Sequence, residues 1–139
     1  MALPGRQRSL QSPGVVATGG EHEGLRERAV AGIERTGDAV VVSLAGELDL
    51  YNADEVREAL FVECERAPER LVVDLSRVVF IDSTALGVLI EARTKLPNSA
   101  GFLLAAPALE TKRALEISGL DRHFTLHETR ESALGAPLS

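Results

Sequence analysis

The chain reads as a single α/β domain with one sheet, mixed but mostly parallel, packed against α-helices. Two observations predict this class. Short apolar runs recur at residues 39–45, 70–75 and 101–106, the first of them rich in β-branched side chains. Between them lie segments whose apolar residues fall at three- and four-residue steps. Extended runs of this kind are buried strands, and the stepped segments are amphipathic helices. A strand, a helix and a strand in that order call for parallel pairing through a right-handed crossover.

The elements follow in order. Residues 1–28 read as a flexible leader, punctuated by Pro4-Gly5, Ser12-Pro13-Gly14 and Gly19-Gly20. The domain takes residues 29–134, and 135–139 form a fraying tail. Residues 29–34 are weakly extended, and Gly37-Asp38 is a turn that can join them as a hairpin to the strand at 39–45. That strand is expected to stop at Gly46-Glu47-Leu48-Asp49, a loop with an acid at its mouth. A helix over 52–67 follows, with Asn52 as cap and Glu55 reaching back in a capping box. Its inner face is Ala53, Val56, Leu60, Cys64 and Ala67, and Pro68 stops it.

The strand at 70–75 leads into a connection, 76–82, whose Val78-Val79-Phe80-Ile81 should pack inward. The second helix spans 83–96, with Ala85, Leu89, Ala92 and Leu96 on one face and Leu86 and Ile90 widening it. Pro97-Asn98 ends it. The strand at 101–106 is closed by Pro107. A helix at 108–118 counts Leu109 and Ile117 among its apolar positions, and Gly119 is its terminating residue. A last strand at 124–127 and a short helix from Thr129 to Leu134 complete the order.

Composition narrows the function. The chain has 15 basic and 21 acidic residues, net charge -6, which argues against a nucleic-acid partner and suits a basic protein partner. No run reaches the ~18 apolar residues of a membrane span, and the start lacks the apolar core of a secretory signal, so a cytoplasmic location is expected. The one cysteine, Cys64, excludes an internal disulfide and reads as a buried, inert thiol. There is no G-x-S-x-G elbow, Walker A loop or dinucleotide fingerprint. His123 and His127 stand four apart at a strand, without the helix that a zinc pair of that spacing uses. Catalysis is therefore not expected.

What remains is Asp82-Ser83-Thr84, a hydroxyl pair after an acid at the start of a helix. Such a triplet is usually an N-cap. It also suits a phosphate, because backbone N–H groups at a helix start lack partners and the macrodipole favours negative charge. A phosphoserine adds about -1.5 to -2 charges and three acceptor oxygens. Set beside Asp82, and beside Asp49 if the two loops share a sheet edge, it would change the surface without unfolding the domain.

The segments Gly46-Glu47-Leu48-Asp49, Leu71-Val72-Val73-Asp74-Leu75-Ser76, Phe80 to Leu89 with its D-S-x-x-L-G-x-L core, and Ser118-Gly119-Leu120 together resemble the STAS domain. In particular they are similar to the bacterial anti-sigma factor antagonists, and the resemblance covers residues 29–134. It implies that Ser83 is the phosphoacceptor, with Asp82 as its acidic neighbour and Asp49 as the family's acid near the switch. Thr84, Leu86 and Gly87 lie where a partner would dock. It further implies an anti-sigma factor with a serine kinase domain as partner, bound by the unmodified form and released on phosphorylation. A PP2C-type phosphatase would restore the binding. ATP belongs to the kinase, so no cofactor is expected here. Ala85 stands where many relatives carry glycine, which stiffens the start of the helix. Two other classes compete: a non-switching STAS subunit of a transporter-associated or stressosome-like assembly, and a receiver or small enzyme using Asp74 or Asp82.

Overall fold

Strand β1 (Val30–Thr36) turns back at Gly37 and Asp38 into β2 (Ala39–Leu48), and Gly37 takes the left-handed φ of +61° that this two-residue turn needs. The structure is a computed structural model and describes residues 28–138; the leader expected over 1–28 lies, but for Arg28, outside the described residues. Helix α1 (Ala53–Glu65) returns the chain to β3 (Arg70–Ile81), and α2 (Ser83–Lys95) returns it to β4 (Phe102–Ala105). Helix α3 (Leu109–Ser118), β5 (Thr125–His127) and α4 (Arg130–Gly135) follow, with single 3-10 turns at Ser99–Gly101 and Leu120–Arg122.

The strands pair in chain order, β1 antiparallel to β2 and every later neighbour parallel. This is the mixed, mostly parallel sheet expected. One face buries Val40, Val42, Leu44, Leu71, Val73 and Leu104 under α1, α2 and α3. The other face sets Val41, Val72, Leu103 and Ala105 against Ala133 and Leu134 of α4. Burying a Leu or Val side chain in such a layer contributes roughly 1.5–3 kcal/mol each. The central strands are apolar on both faces because both faces are covered.

Several boundaries differ from expectation, each for a physical reason. β2 does not stop before Gly46. Gly46 adopts φ +79°, the ladder to β3 shifts register there, and the strand runs on until Leu48 is fully buried. β3 likewise continues through 76–81. The ladder to β2 skips Val79 there, so strict alternation breaks: Val78 and Ile81 are buried, whereas Val79 and Phe80 are exposed rather than packed inward. Helix α1 ends at Glu65. Pro68 disfavours helical geometry at its predecessor, and Ala67 sits exposed at φ +52° instead of on the inner face.

The capping box at α1 is also absent. Asn52 spends its side chain on the preceding loop, and the Glu55 carboxylate accepts from the Val30 N–H at 3.3 Å. In α3, Leu109 and Ile117 are exposed, and Leu115 fills the core position. Gly119 does end this helix, at φ +78°. The tail frays less than expected: Gly135 closes α4, and Leu138 packs against the second core cluster.

Arg130 ties α4 to the sheet. Its guanidinium donates to Asp74 Oδ2 (2.9 Å) and Ser43 Oγ (3.0 Å), and it pairs with Glu34, so one side chain spans β1, β2 and β3. For the Asp74 carboxyl, burial pushes the pKa up. The Ser76 N–H and Arg130 push it down, and they prevail, leaving it below its ordinary value. Cys64 is buried as expected. Burial, helped by the Glu63 carboxylate, pushes its thiol up to about 11.

One close approach fixes how the α2–β4 connection meets the start of β3. A Cβ on Gly101 would lie 2.1 Å from the Glu69 carbonyl oxygen, and backbone cannot step aside as a side-chain tip can. Gly101→Ala is expected to destabilise the domain by about 1–3 kcal/mol, the usual range for overpacking. Thermal unfolding should then show a lowered midpoint, and an unchanged one would mean that the connection yields freely.

Candidate functional site

Parallel neighbours place their strand-to-helix loops at the same sheet edge. β2 and β3 end in register, Leu48 opposite Ile81, so the β2–α1 loop and the start of α2 emerge side by side. Asp82 joins them with three bonds. Its N–H donates to the Leu48 carbonyl at 3.0 Å. Its Oδ1 accepts from the Ala85 N–H at 2.9 Å, the N-cap bond of α2. Its Oδ2 accepts from the Leu50 N–H at 3.2 Å. Extended backbone at Asp82 (φ -98°, ψ 178°) aims the carboxylate into both loops at once.

The β2–α1 loop is braced from within as well. Asp49 Oδ1 accepts from the Tyr51 N–H (3.0 Å), and the Asp49 carbonyl accepts from the Asn52 N–H (3.2 Å). Asn52 Oδ1 accepts from the Asp49 N–H at 2.9 Å, while its Nδ2 donates to the Glu47 carbonyl at 2.8 Å. Asp49 and Asp82 therefore meet through the same short loop, the juxtaposition that the sequence left conditional.

Ser83 is the first residue of α2, and it is exposed, as are Thr84 and Gly87. Leu86 differs. It is 7% exposed and belongs to the core with Ala85, Val88 and Leu89, so its side chain is not available to a partner. The α2 start thus has a committed inner face and an open outer one. Gly87 lies on the open face, and a Cβ there would meet no atom within 4 Å. Close packing inside the domain does not explain this glycine, which costs a helix about 0.5–1 kcal/mol relative to alanine.

Two apolar features flank the site. On the loop side, Leu50 and Tyr51 are exposed by 61% and 82%. On the other, an open groove runs between the end of β3 and α3, lined by Phe80, Ile81, Glu110, Arg113, Ala114 and Ile117. Sequence reasoning missed Leu50 and Tyr51. A Leu-Tyr pair in a two-turn loop was the available signal, and only exposure distinguishes it from core.

Asp74 does not belong to this site. It is 6% exposed and bound to Arg130, which leaves no open carboxylate for the receiver reading. Among the described residues no three His, Cys, Asp or Glu side chains cluster to hold a metal, and no helix is long and apolar enough to cross a membrane.

This architecture and helix start match a known family. The STAS domain profile fits residues 31–133, and the chain belongs to the STAS domain family. Within it the similarity runs to antagonists of anti-sigma factors. The anti-sigma-F factor antagonist RsfB of Mycobacterium tuberculosis is 36% identical over 94 residues, 68% of this chain and 77% of that protein. A crystal structure of an anti-sigma factor antagonist from Mycobacterium paratuberculosis superposes with TM-score 0.69 at 34% identity, covering 73% of this chain and 87% of the other. The anti-sigma factor antagonist SpoIIAA in its unphosphorylated form gives TM-score 0.63 at 25% identity, covering 74% and 91%.

Two substitutions separate the fold's needs from the site's. Asp82→Ala removes the cap and the loop bond together and is expected to cost about 1–2 kcal/mol, seen in denaturant unfolding. Amide exchange should quicken at Leu50 and Ala85 before it does in the core. Gly87→Ala should instead raise stability by about 0.5–1 kcal/mol. A loss of stability there would mean that the helix needs the glycine for itself.

Proposed function

We propose that this chain is an anti-sigma factor antagonist whose binding is switched at Ser83. The unmodified protein binds an anti-sigma factor that carries a serine kinase domain, and the sigma factor held by that partner is released. The kinase transfers the γ-phosphoryl group of its ATP to Ser83 Oγ. The P–O bond to ADP breaks as the new one forms, and the serine proton passes to the kinase. A PP2C-type phosphatase hydrolyses the ester and returns the hydroxyl. The chain supplies an acceptor and a surface, not catalysis, and acts in the cytoplasm.

The observation that carries this reading is the exposed hydroxyl of Ser83 at the first position of α2, next to a carboxylate already committed to capping. Because Asp82 holds the cap, Ser83 is spare for the fold. A phosphate on it would face helix N–H groups and remain compatible with folding. To a partner fitted to a neutral hydroxyl it would present a dianion beside Asp82, and an unpaired charge at an interface costs roughly 2–5 kcal/mol. Thr84 and Gly87 would lie under the same partner. The open space around Gly87 supports that placement, since an approaching surface, not the domain itself, has use for the missing Cβ. Asp82 and Asp49 act by holding the loop and the helix start in one piece. Similarity to proteins described as anti-sigma factor antagonists supports the partner class.

The experiment pairs the chain with a purified serine-kinase anti-sigma factor and ATP. Parent protein should gain one phosphate, mapped to the peptide holding Ser83. Ser83→Ala should bind like the parent and stay unlabelled, and Ser83→Asp should bind about 30-fold or more weakly. Equal labelling of parent and Ser83→Ala would place the acceptor elsewhere.

A further inference from the structure

We propose that Leu50 and Tyr51 form a preorganised apolar knuckle that docks into an apolar recess on the partner reading Ser83, and that this contact selects which partner is bound. The inference rests on the reading of Ser83 as a partner-read switch.

The loop is unusual in being held rigidly while its two largest side chains remain in water. Leu50 N–H is bound by Asp82 Oδ2 and Tyr51 N–H by Asp49 Oδ1, and Asn52 braces both ends of the turn. Four side-chain hydrogen bonds thus fix the backbone that carries Leu50 and Tyr51, yet those side chains are 61% and 82% exposed. Neither belongs to the hydrophobic core. Rigid backbone beneath an aromatic side chain is what an interface anchor requires, because little conformational entropy remains to be lost on binding. Tyrosine combines large contact area with few rotatable bonds, and it is enriched among residues that dominate binding energy.

The occupant follows from position. The Asp82 carboxylate that caps α2 also binds the loop, and Ser83 is the next residue, so a surface broad enough to read Ser83 reaches the knuckle as well. The carboxylates of Asp82 and Asp49 lie against the backbone of the pair, so the recess should be apolar with a basic rim. The Ser83 hydroxyl is a generic acceptor and distinguishes one kinase from another poorly. A tyrosine-sized recess distinguishes them well, and a partner without it would leave the ring in water.

The test measures binding of the parent, Leu50→Ala, Tyr51→Ala, Tyr51→Phe and Ser83→Asp to each purified serine-kinase anti-sigma factor from the same genome. Tyr51→Ala should keep the parent's melting temperature and weaken the tightest partner by about 30-fold or more, mainly through faster dissociation. Leu50→Ala should weaken it less, and Tyr51→Phe should bind as the parent does. The gap between the tightest and the next partner should narrow for Tyr51→Ala.

If Tyr51→Ala binds like the parent while Ser83→Asp does not, the knuckle is wrong and the switch stands. A loss with Tyr51→Ala but none with Ser83→Asp would keep the knuckle and remove the switch. Equal loss with Tyr51→Phe and Tyr51→Ala would point to a hydroxyl contact and overturn apolar docking. A parent that sediments as a dimer, with Tyr51→Ala a monomer, would assign the knuckle to a second copy and overturn the proposal. Failure of every such kinase to bind the parent would overturn both readings.

Discussion

The carboxylate of Asp82 is the constraint on which the sheet edge at the start of α2 depends. Its two oxygens serve two segments at once: Oδ1 caps α2 through Ala85, and Oδ2 holds Leu50 in the neighbouring loop. Its own N–H closes onto Leu48 at the end of β2. Without it the two loops would share a sheet edge, as parallel topology demands, yet have no reason to keep a fixed relation. Because Asp82 caps, Ser83 need not. The division of labour frees a hydroxyl at a place where a hydroxyl would ordinarily be consumed by the helix.

The same edge shows how stability and surface are partitioned within one short helix. Ala85, Leu86, Val88, Leu89 and Ala92 take the inner face of α2, and little of the helix is left to spare for binding. The outer face then carries Ser83, Thr84 and Gly87, all exposed. A glycine with empty space around it is a small but persistent cost to the helix. Leu50 and Tyr51 add a cost of another kind, exposed apolar area on a braced loop. These costs gather at one edge, away from the core, where the fold itself draws no benefit from them.

The opposite side of the sheet is organised by charge. Arg130 reaches back from α4 to Asp74, Ser43 and Glu34 and binds the C-terminal helix to three strands. A partly buried pair of this kind adds little net stability, since desolvation offsets attraction. It does specify where α4 lies over Val41, Val72 and Leu103, whose apolar contacts alone would permit sliding. Glu63 plays a similar part on the other face. It is 1% exposed and binds Arg35, which attaches the edge strand β1 to α1.

The element order, the mostly parallel sheet and the segment Asp82-Ser83-Thr84 were legible in the sequence, because periodicity and punctuation are local signals. So were the inner faces of α1 and α2, except that Ala67 and Ile90, placed inward by spacing, are exposed. The physics of a cap does not by itself make such a triplet a phosphoacceptor; the family resemblance is what suggests that role. Where the strands stop, and which apolar residues face water, depend instead on partners distant in sequence. β2 outlasts Gly46 because pairing with β3 continues beyond it, and Phe80, Leu109 and Ile117 look like core in one dimension but find no layer above them. Asn52 and Glu55 matched a capping box, yet the preceding loop at Asp49 claimed one side chain and Val30, distant in sequence, the other. Leu86 and Gly87 are neighbours in sequence and face opposite ways, one into the core and one into solvent, because a step of one residue turns a helix by about 100°.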